Sequence, residues 1–263
     1  MAANVLLAAL VLGPLLADSS STDGAPTYSA DSIANSASGV SGFYAPNTFI
    51  SIYGKNLSRV TRAINSDDIA GGMLPTALGS TGVRVLINQI PADIWYVSPT
   101  LVNILIPNIL IAGPATVQLE MDGLAGPPVS ITLGTMAPAL FQLDATTVLA
   151  VHLDGSLITA SAPARAGEIV VLFATGLGPT APPQFPNQIA QTAALIAARS
   201  DFLVVLNGTP VDSSRILYAG IAPGFAGVYQ INLIVPDAVD MNPEIRIGTI
   251  AQMSPAGRIL PLQ

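Results

Sequence analysis

The chain contains a single histidine, His152, within Val151-His152-Leu153-Asp154-Gly155-Ser156. Any Ser-His-Asp relay or imidazole-ligated metal must therefore run through it. The Asp-Gly that follows reads as a turn, and alternation puts His152 at a strand end, so a structural or surface role is expected; with Asp154 it makes a weak ligand pair, where a metal site normally needs several donors. Zero cysteines exclude thiolate zinc, iron–sulfur clusters, cysteine nucleophiles and a disulfide framework. No Asp-x-Asp-x-Asp-Gly calcium loop occurs. Asp67-Asp68 reads as a solvated loop pair. Gly176-Leu177-Gly178-Pro179 lacks the Lys-Ser/Thr ending of a phosphate loop and reads as a turn between strands. The 16 acids lie mostly beside turns and single out no catalytic pair. The expectation is a protein that is not an enzyme and has no cofactor and no metal.

Aromatic side chains offer flat apolar faces that stack on sugar rings. Trp95-Tyr96 is one such group; Tyr218, Phe225 and Tyr229, in a Gly/Pro-rich stretch, form another. With one Trp and 5% aromatics, core packing is the stronger reading. The loop 218–229 is kept as the alternative partner-binding surface. Asn56-Leu57-Ser58 and Asn207-Gly208-Thr209 match the N-glycosylation pattern, but turn chemistry already explains both.

Charged residues make up 10% of the chain, against roughly 25% in an ordinary soluble domain. The surface must therefore be covered by Gly, Pro, Ser, Thr, Asn, Gln and apolar groups, as in secreted β-proteins or mutually burying subunits. Net charge is −7, with one Lys and eight scattered Arg, so no basic patch exists to bind nucleic acid. With 23 Gly and 22 Pro, short strands are favoured over long helices.

The apolar run Val5–Ala17, followed by Asp18-Ser19-Ser20-Ser21, has the length of a secretory hydrophobic region and is too short for a transmembrane segment. Export to the cell surface or the extracellular space is expected, with residues 1–25 set apart as signal-like segment and linker. If retained, Val5, Leu6, Leu7, Leu10, Val11 and Leu12 would form a donor strand for a neighbouring copy.

The rest of the chain is duplicated. Ile50–Leu57 matches Val170–Leu177 at an offset of 120, and Val85–Pro91 matches Val204–Pro210 at 119. Val102–Pro107 matches Ile231–Pro236, and Pro114 matches Pro243, both at 129. The change places a ten-residue insertion in the second copy, within Arg215–Tyr229. Each copy consists of short β-branched or apolar runs bounded by Gly, Pro and Asn. Asn207-Gly208, and more weakly Asn88-Gln89, read as two-residue hairpin turns. Only Asn187–Ser200 has helix-like composition, as a short helix or a loop excursion. The expectation is all-β, with two tandem immunoglobulin-like antiparallel β-sandwiches at 26–145 and 146–263 related by internal duplication.

The strand–Gly–x–Asn/Gly–Leu element, followed by strand, hairpin, strand and Asn/Pro-terminated strand, resembles the immunoglobulin-like IPT/TIG fold. The stretch 32–262 resembles, more specifically, the uncharacterised C-terminal domain family of Solibacter and other acidobacterial secreted proteins. The likeness rests on Asn35-Ser36-Ala37, Ile52–Leu57, Leu74–Gly79, Pro163–Glu168, Ala174–Pro179 and Tyr218–Phe225. It implies fold and export and assigns no site residues. Asn187–Ser200 departs from it, being more apolar and helix-prone than the Gly-rich loop expected there.

Two roles are in view. The first is a self-associating homo-oligomer or polymer, the subunit of an extracellular fibre or surface array, because Ig-like sandwiches have open sheet edges and sparse charge repels weakly. The alternative is an adhesin-like module recognising envelope glycan or protein through the loop 218–229.

Overall fold

The computed structural model describes residues 24–263. The donor-strand candidates Val5, Leu6, Leu7, Leu10, Val11 and Leu12 lie outside that range. The described chain is all β, its helical content being three 3-10 turns at Ala30–Ser32, Ser66–Asp68 and Ser213–Arg215. No helix among the described residues is long and apolar enough to cross a membrane.

The chain forms two compact units, one of residues 24–135 with Phe185–Ile189, the other of Met136–Gln184 with Ala190–Gln263. The boundary therefore precedes the 145/146 expected from sequence. The reason is that Ala139–Leu140 already pairs with Thr175–Ala174 as a strand of the second unit, and Ala137 N–H donates to Gly176 O at 2.8 Å. Phe185–Ile189 joins the first unit through Leu74 N–H to Asn187 O (2.8 Å) and Ile189 N–H to Gly72 O (2.9 Å).

Each unit is a pair of sheets. In the first, one sheet has the order Ile33–Asn35, Phe49–Tyr53, Leu101–Leu105, Asp93–Val97, Arg62–Ala63. The other runs Phe43–Tyr44, Val129–Leu133, Gly113–Met121, Val83–Ile87, Ile90–Pro91. In the second unit the larger sheet has the order Ala139–Leu140, Ile169–Thr175, Tyr229–Ile234, Ile216–Ile221, Ala194–Ile196, Thr180–Ala181. The smaller runs Thr209–Pro210, Leu203–Leu206, Ile245–Thr249, Gln252–Met253. Alternation fills the cores: Ile50, Ile52, Val85, Ile87, Val102, Ile104, Val117 and Leu119 are buried in the first, and Val170, Leu172, Val204, Ile231, Leu233, Ile245 and Ile247 in the second.

The ladders carry the duplication in register. Asn103 pairs with Ser51 and Tyr96; Asn232 pairs with Val171 and Tyr218. A bulge lies at Trp95 in one repeat and at Leu217 in the other. Ile106 and Val235, which precede the matched Pro107 and Pro236, each close their sheet with two bonds: Asn47 N–H to Ile106 O and Ile106 N–H to Thr48 O, against Gly167 N–H to Val235 O and Val235 N–H to Glu168 O. The hairpins agree as well. Asn88 and Asn207 both take positive φ (49° and 46°), and their Oδ1 atoms accept Thr116 N–H and Glu244 N–H, both at 2.8 Å. That last match sets Thr116 opposite Glu244, an offset of 128, so the Pro114/Pro243 correspondence slips by one residue.

The insertion divides. Trp95 and Tyr96 match Leu217 and Tyr218 at an offset of 122, so three extra residues precede this strand as the turn Ser213–Arg215. The remaining seven lie between Tyr218 and Asn232, before the 129 offset is reached. Asn187–Ser200 is not helical. Its centre, Ala194–Ile196, is a strand between Thr180–Ala181 and Gly220–Ile221, with Ala194 and Ile196 buried and Leu195 exposed. Burying alternate side chains outweighs the helix preference of alanine, which is a weak prior.

The outermost strands are all short. Ile33–Asn35 and Ala150–His152 have three residues; Arg62–Ala63, Phe43–Tyr44, Ile90–Pro91, Ala139–Leu140, Thr180–Ala181, Thr209–Pro210 and Gln252–Met253 have two. Short edge strands, two of them carrying a proline that cannot donate to a ladder, are a recognised protection against edge-to-edge pairing.

Candidate functional site

The residues singled out in the sequence do not come together. Tyr229 is 1% exposed, and its hydroxyl donates to Gly178 O, so its ring belongs to the core. Tyr218 is half-buried and donates to Ile221 O at 2.6 Å. Phe225 is half-buried, with its backbone closing a turn onto Ala190. Trp95 is also core, meeting the Phe49 ring edge-on at 5.1 Å. The loop 218–229 therefore presents no row of open rings.

His152 pairs with Glu168 rather than Asp154: Nδ1 bonds Glu168 Oε1, and Nε2 lies 3.3 Å from Ala162 O. The Glu168 hydrogen bond raises the His152 pKa above its ordinary 6.5. Asp154 instead closes its own turn, accepting Ser156 N–H at 2.9 Å. The pair borders a hollow of about 470 Å³ with Ser161, Arg165 and Gln263. Among the described residues no group of three or more His, Asp or Glu side chains is placed to hold a metal ion. Asp68 accepts Arg62 Nη2 at 2.5 Å, so the Asp67-Asp68 pair is part of a capped surface turn.

A better-formed site lies in the second unit, beside the Asn207-Gly208 hairpin. A hollow of about 640 Å³ is walled by Leu206, Pro210, Val211, Pro236 and Val239, with Asn207, Thr209, Asp212, Arg215 and Asp240 at its margin. Its mixed lining, and a volume within the few hundred to about 1,000 Å³ typical of small-molecule sites, fit a ligand-binding hollow.

Each polar group is held by its element. Asn207, in the left-handed region that a type I′ turn requires, donates from Nδ2 to Asp240 Oδ2 at 3.0 Å. This fixes the loop after Pro236 over the hairpin. Asp212 caps the inserted turn, its Oδ1 accepting Ser214 N–H (2.8 Å) and Oγ–H (2.6 Å). Those bonds, with a smaller contribution from the Arg215 charge, hold its carboxyl below the usual range, so it stays ionised. Arg215 donates from Nη1 to Val235 O at 3.1 Å and pairs with Asp237 through Nη2. Committed donors and remaining carboxylate oxygens leave the margin rich in acceptors and net negative. The sequence shows a step in repeat offset from 119 to 129; that three of those ten residues form the turn Ser213–Arg215, starting ahead of the expected 215–229, follows only from the strand registers.

In the first repeat the same chain positions are arranged differently. Without the inserted turn, Asp93 runs directly into its strand and is 2% exposed. Burial alone pushes its pKa up to about 7, and Oδ1 has no hydrogen-bond partner. The loop that answers Ala238–Asp240 is Ile109–Ile111, with Ile109 55% and Ile111 84% exposed.

No family model and no curated protein matches the sequence. Solved structures similar to the chain include the Bacteroides ovatus surface glycan-binding protein of a mixed-linkage glucan utilization locus, in complex with a mixed-linkage heptasaccharide (12% identity, TM-score 0.31, covering 84% of this chain and 43% of that one). A surface glycan-binding protein of Prevotella bryantii matches at 13% identity and TM-score 0.29 over 89% and 42%. The tandem Ig repeats of Dlar match at 13% identity and TM-score 0.21 over 92% and 96%. The chain spans less than half the length of the two glycan-binding proteins.

Proposed function

We propose that this chain is a non-enzymatic, exported cell-surface module that binds an extracellular glycan. The observation that carries the reading is the hollow of about 640 Å³ beside Asn207, Asp212 and Asp240, open to solvent on a fold otherwise poor in charged surface. The signal-like run Val5–Ala17 supports export. The two- and three-residue outermost strands weigh against a fibre built by strand addition, because they leave few consecutive free N–H and C=O groups to template a neighbour.

The test is affinity electrophoresis of the full chain through gels containing neutral polysaccharides, with light scattering on the same sample. Retardation by at least one polysaccharide, with a monomeric particle, is the expected result. A concentration-dependent polymer that no polysaccharide retards would return the assignment to the fibre subunit.

A further inference from the structure

The two repeats carry the same acid at the same place, and only one of them shows it to solvent. The hairpins Ile90–Pro91 and Thr209–Pro210 close identically, with Ala92 N–H donating to Val85 O (2.9 Å) and Val211 N–H to Val204 O (2.8 Å). The next residue is Asp93 in one and Asp212 in the other. In the second repeat the inserted turn Ser213–Arg215 follows directly, so the strand begins at Ile216 and Asp212 is left exposed at the rim. The insertion thus turns a buried acid into a rim acceptor and supplies the arginine that anchors the opposite loop through Val235 O and Asp237.

We propose that this hollow is the glycan subsite and takes a short stretch of a neutral chain, which rests on the surface-glycan reading above. Asp212 spends Oδ1 on Ser214, and Asp240 spends Oδ2 on Asn207. Each keeps an oxygen for a ligand donor, and Thr209 adds an exposed hydroxyl. Vicinal sugar hydroxyls donate in pairs, and a hydroxyl-to-carboxylate hydrogen bond is among the stronger neutral-ligand contacts. Pro210, Pro236 and Val239 supply the apolar wall for the C–H face of a sugar ring. Arg215 does not touch the ligand; it is a positioning residue that holds the loop 236–240 in place.

The experiment is calorimetric titration of the full chain with neutral gluco-, xylo-, manno- and galacto-hexasaccharides, repeated with Asp240→Ala and with Ala238→Trp. The first removes an acceptor; the second fills the hollow from an exposed position without altering its charge. Thermal unfolding identifies any variant that has lost the fold, and the other then carries the test. Both variants are expected to weaken the hexasaccharide that binds by about ten-fold or more. Unchanged affinity in both would overturn the subsite while leaving the glycan reading intact. Failure of the wild-type chain to bind any of the four would overturn both, as would capture of a hexalysine peptide in place of sugar, since the acids would then serve a cation.

Discussion

Asp93 and Asp212 follow the same hairpin in the two repeats, yet Asp93 is 2% exposed, with its pKa raised to about 7, and Asp212 is solvent-exposed, with its pKa lowered. A single inserted turn separates the two outcomes. In the first repeat the backbone continues straight into Asp93–Val97 and carries the carboxyl into low dielectric, where the charged form is disfavoured. In the second the chain coils once, and the carboxyl gains the Ser214 donors instead.

Asp93 should make the protein less stable as pH rises through the weakly acidic range. The native state keeps its proton until near pH 7, whereas the unfolded chain releases it near 3.8. Native protein therefore binds more protons between those values, and stability falls across the window by up to about 4 kcal/mol before levelling off above it. Urea unfolding from pH 4 to 8 measures the slope, and Asp93→Asn should flatten it. An Asp93→Asn variant with the wild-type slope would assign the dependence elsewhere.

The His152–Glu168 pair contributes a second dependence. Because the folded pKa of His152 lies above 6.5, its stabilisation is complete below about pH 6.5 and is lost as pH rises through the raised value. Glu168→Gln should bring the His152 NMR titration back down toward the ordinary value. No change in that titration would mean that the pair does not persist in solution.

The hairpin asparagines should be interchangeable in cost. Asn88→Ala and Asn207→Ala each forfeit a side-chain bond to a neighbouring strand amide (2.8 Å in both) and a residue type suited to positive φ. Each should lose about 1–3 kcal/mol, with Asn207→Ala also freeing Asp240. Chemical denaturation reads the first effect; weaker oligosaccharide binding reads the second.

Gly220 should tolerate no side chain. A Cβ there would lie 2.2 Å from Ala194 O and 2.6 Å from the Tyr218 hydroxyl, so Gly220→Ala must push Ala194–Ile196 off its sheet. A loss of about 1–3 kcal/mol is expected, with hydrogen exchange accelerated at Leu195 and Ile196. Retained protection there would show that the strand is held by other contacts.

Much of this molecule is determined by local chemistry that sequence alone displays. Alternating β-branched runs ending in Asn-Gly, Asn-Gln or Pro are confined to short strands and tight turns, and repeating the order of those runs repeats the sandwich. That is why Asn103/Asn232, Pro107/Pro236 and the two hairpins fall in register. What sequence could not decide depends on which groups share space. The alanines of 187–200 favour helix in isolation, and only the Gly220 edge, by accepting Ala194–Ile196, makes them a strand. Ala139–Leu140 pairs across more than thirty residues of chain with Thr175–Ala174, which moves the unit boundary. Tyr229 looks like a loop aromatic, but its ring fills the core because its strand turns that face inward. The hollow is the clearest case: Asn207, Asp212 and Asp240 are ordinary polar residues in the sequence, and only the fold brings them to one rim, with a three-residue turn exposing Asp212 where the other repeat runs straight.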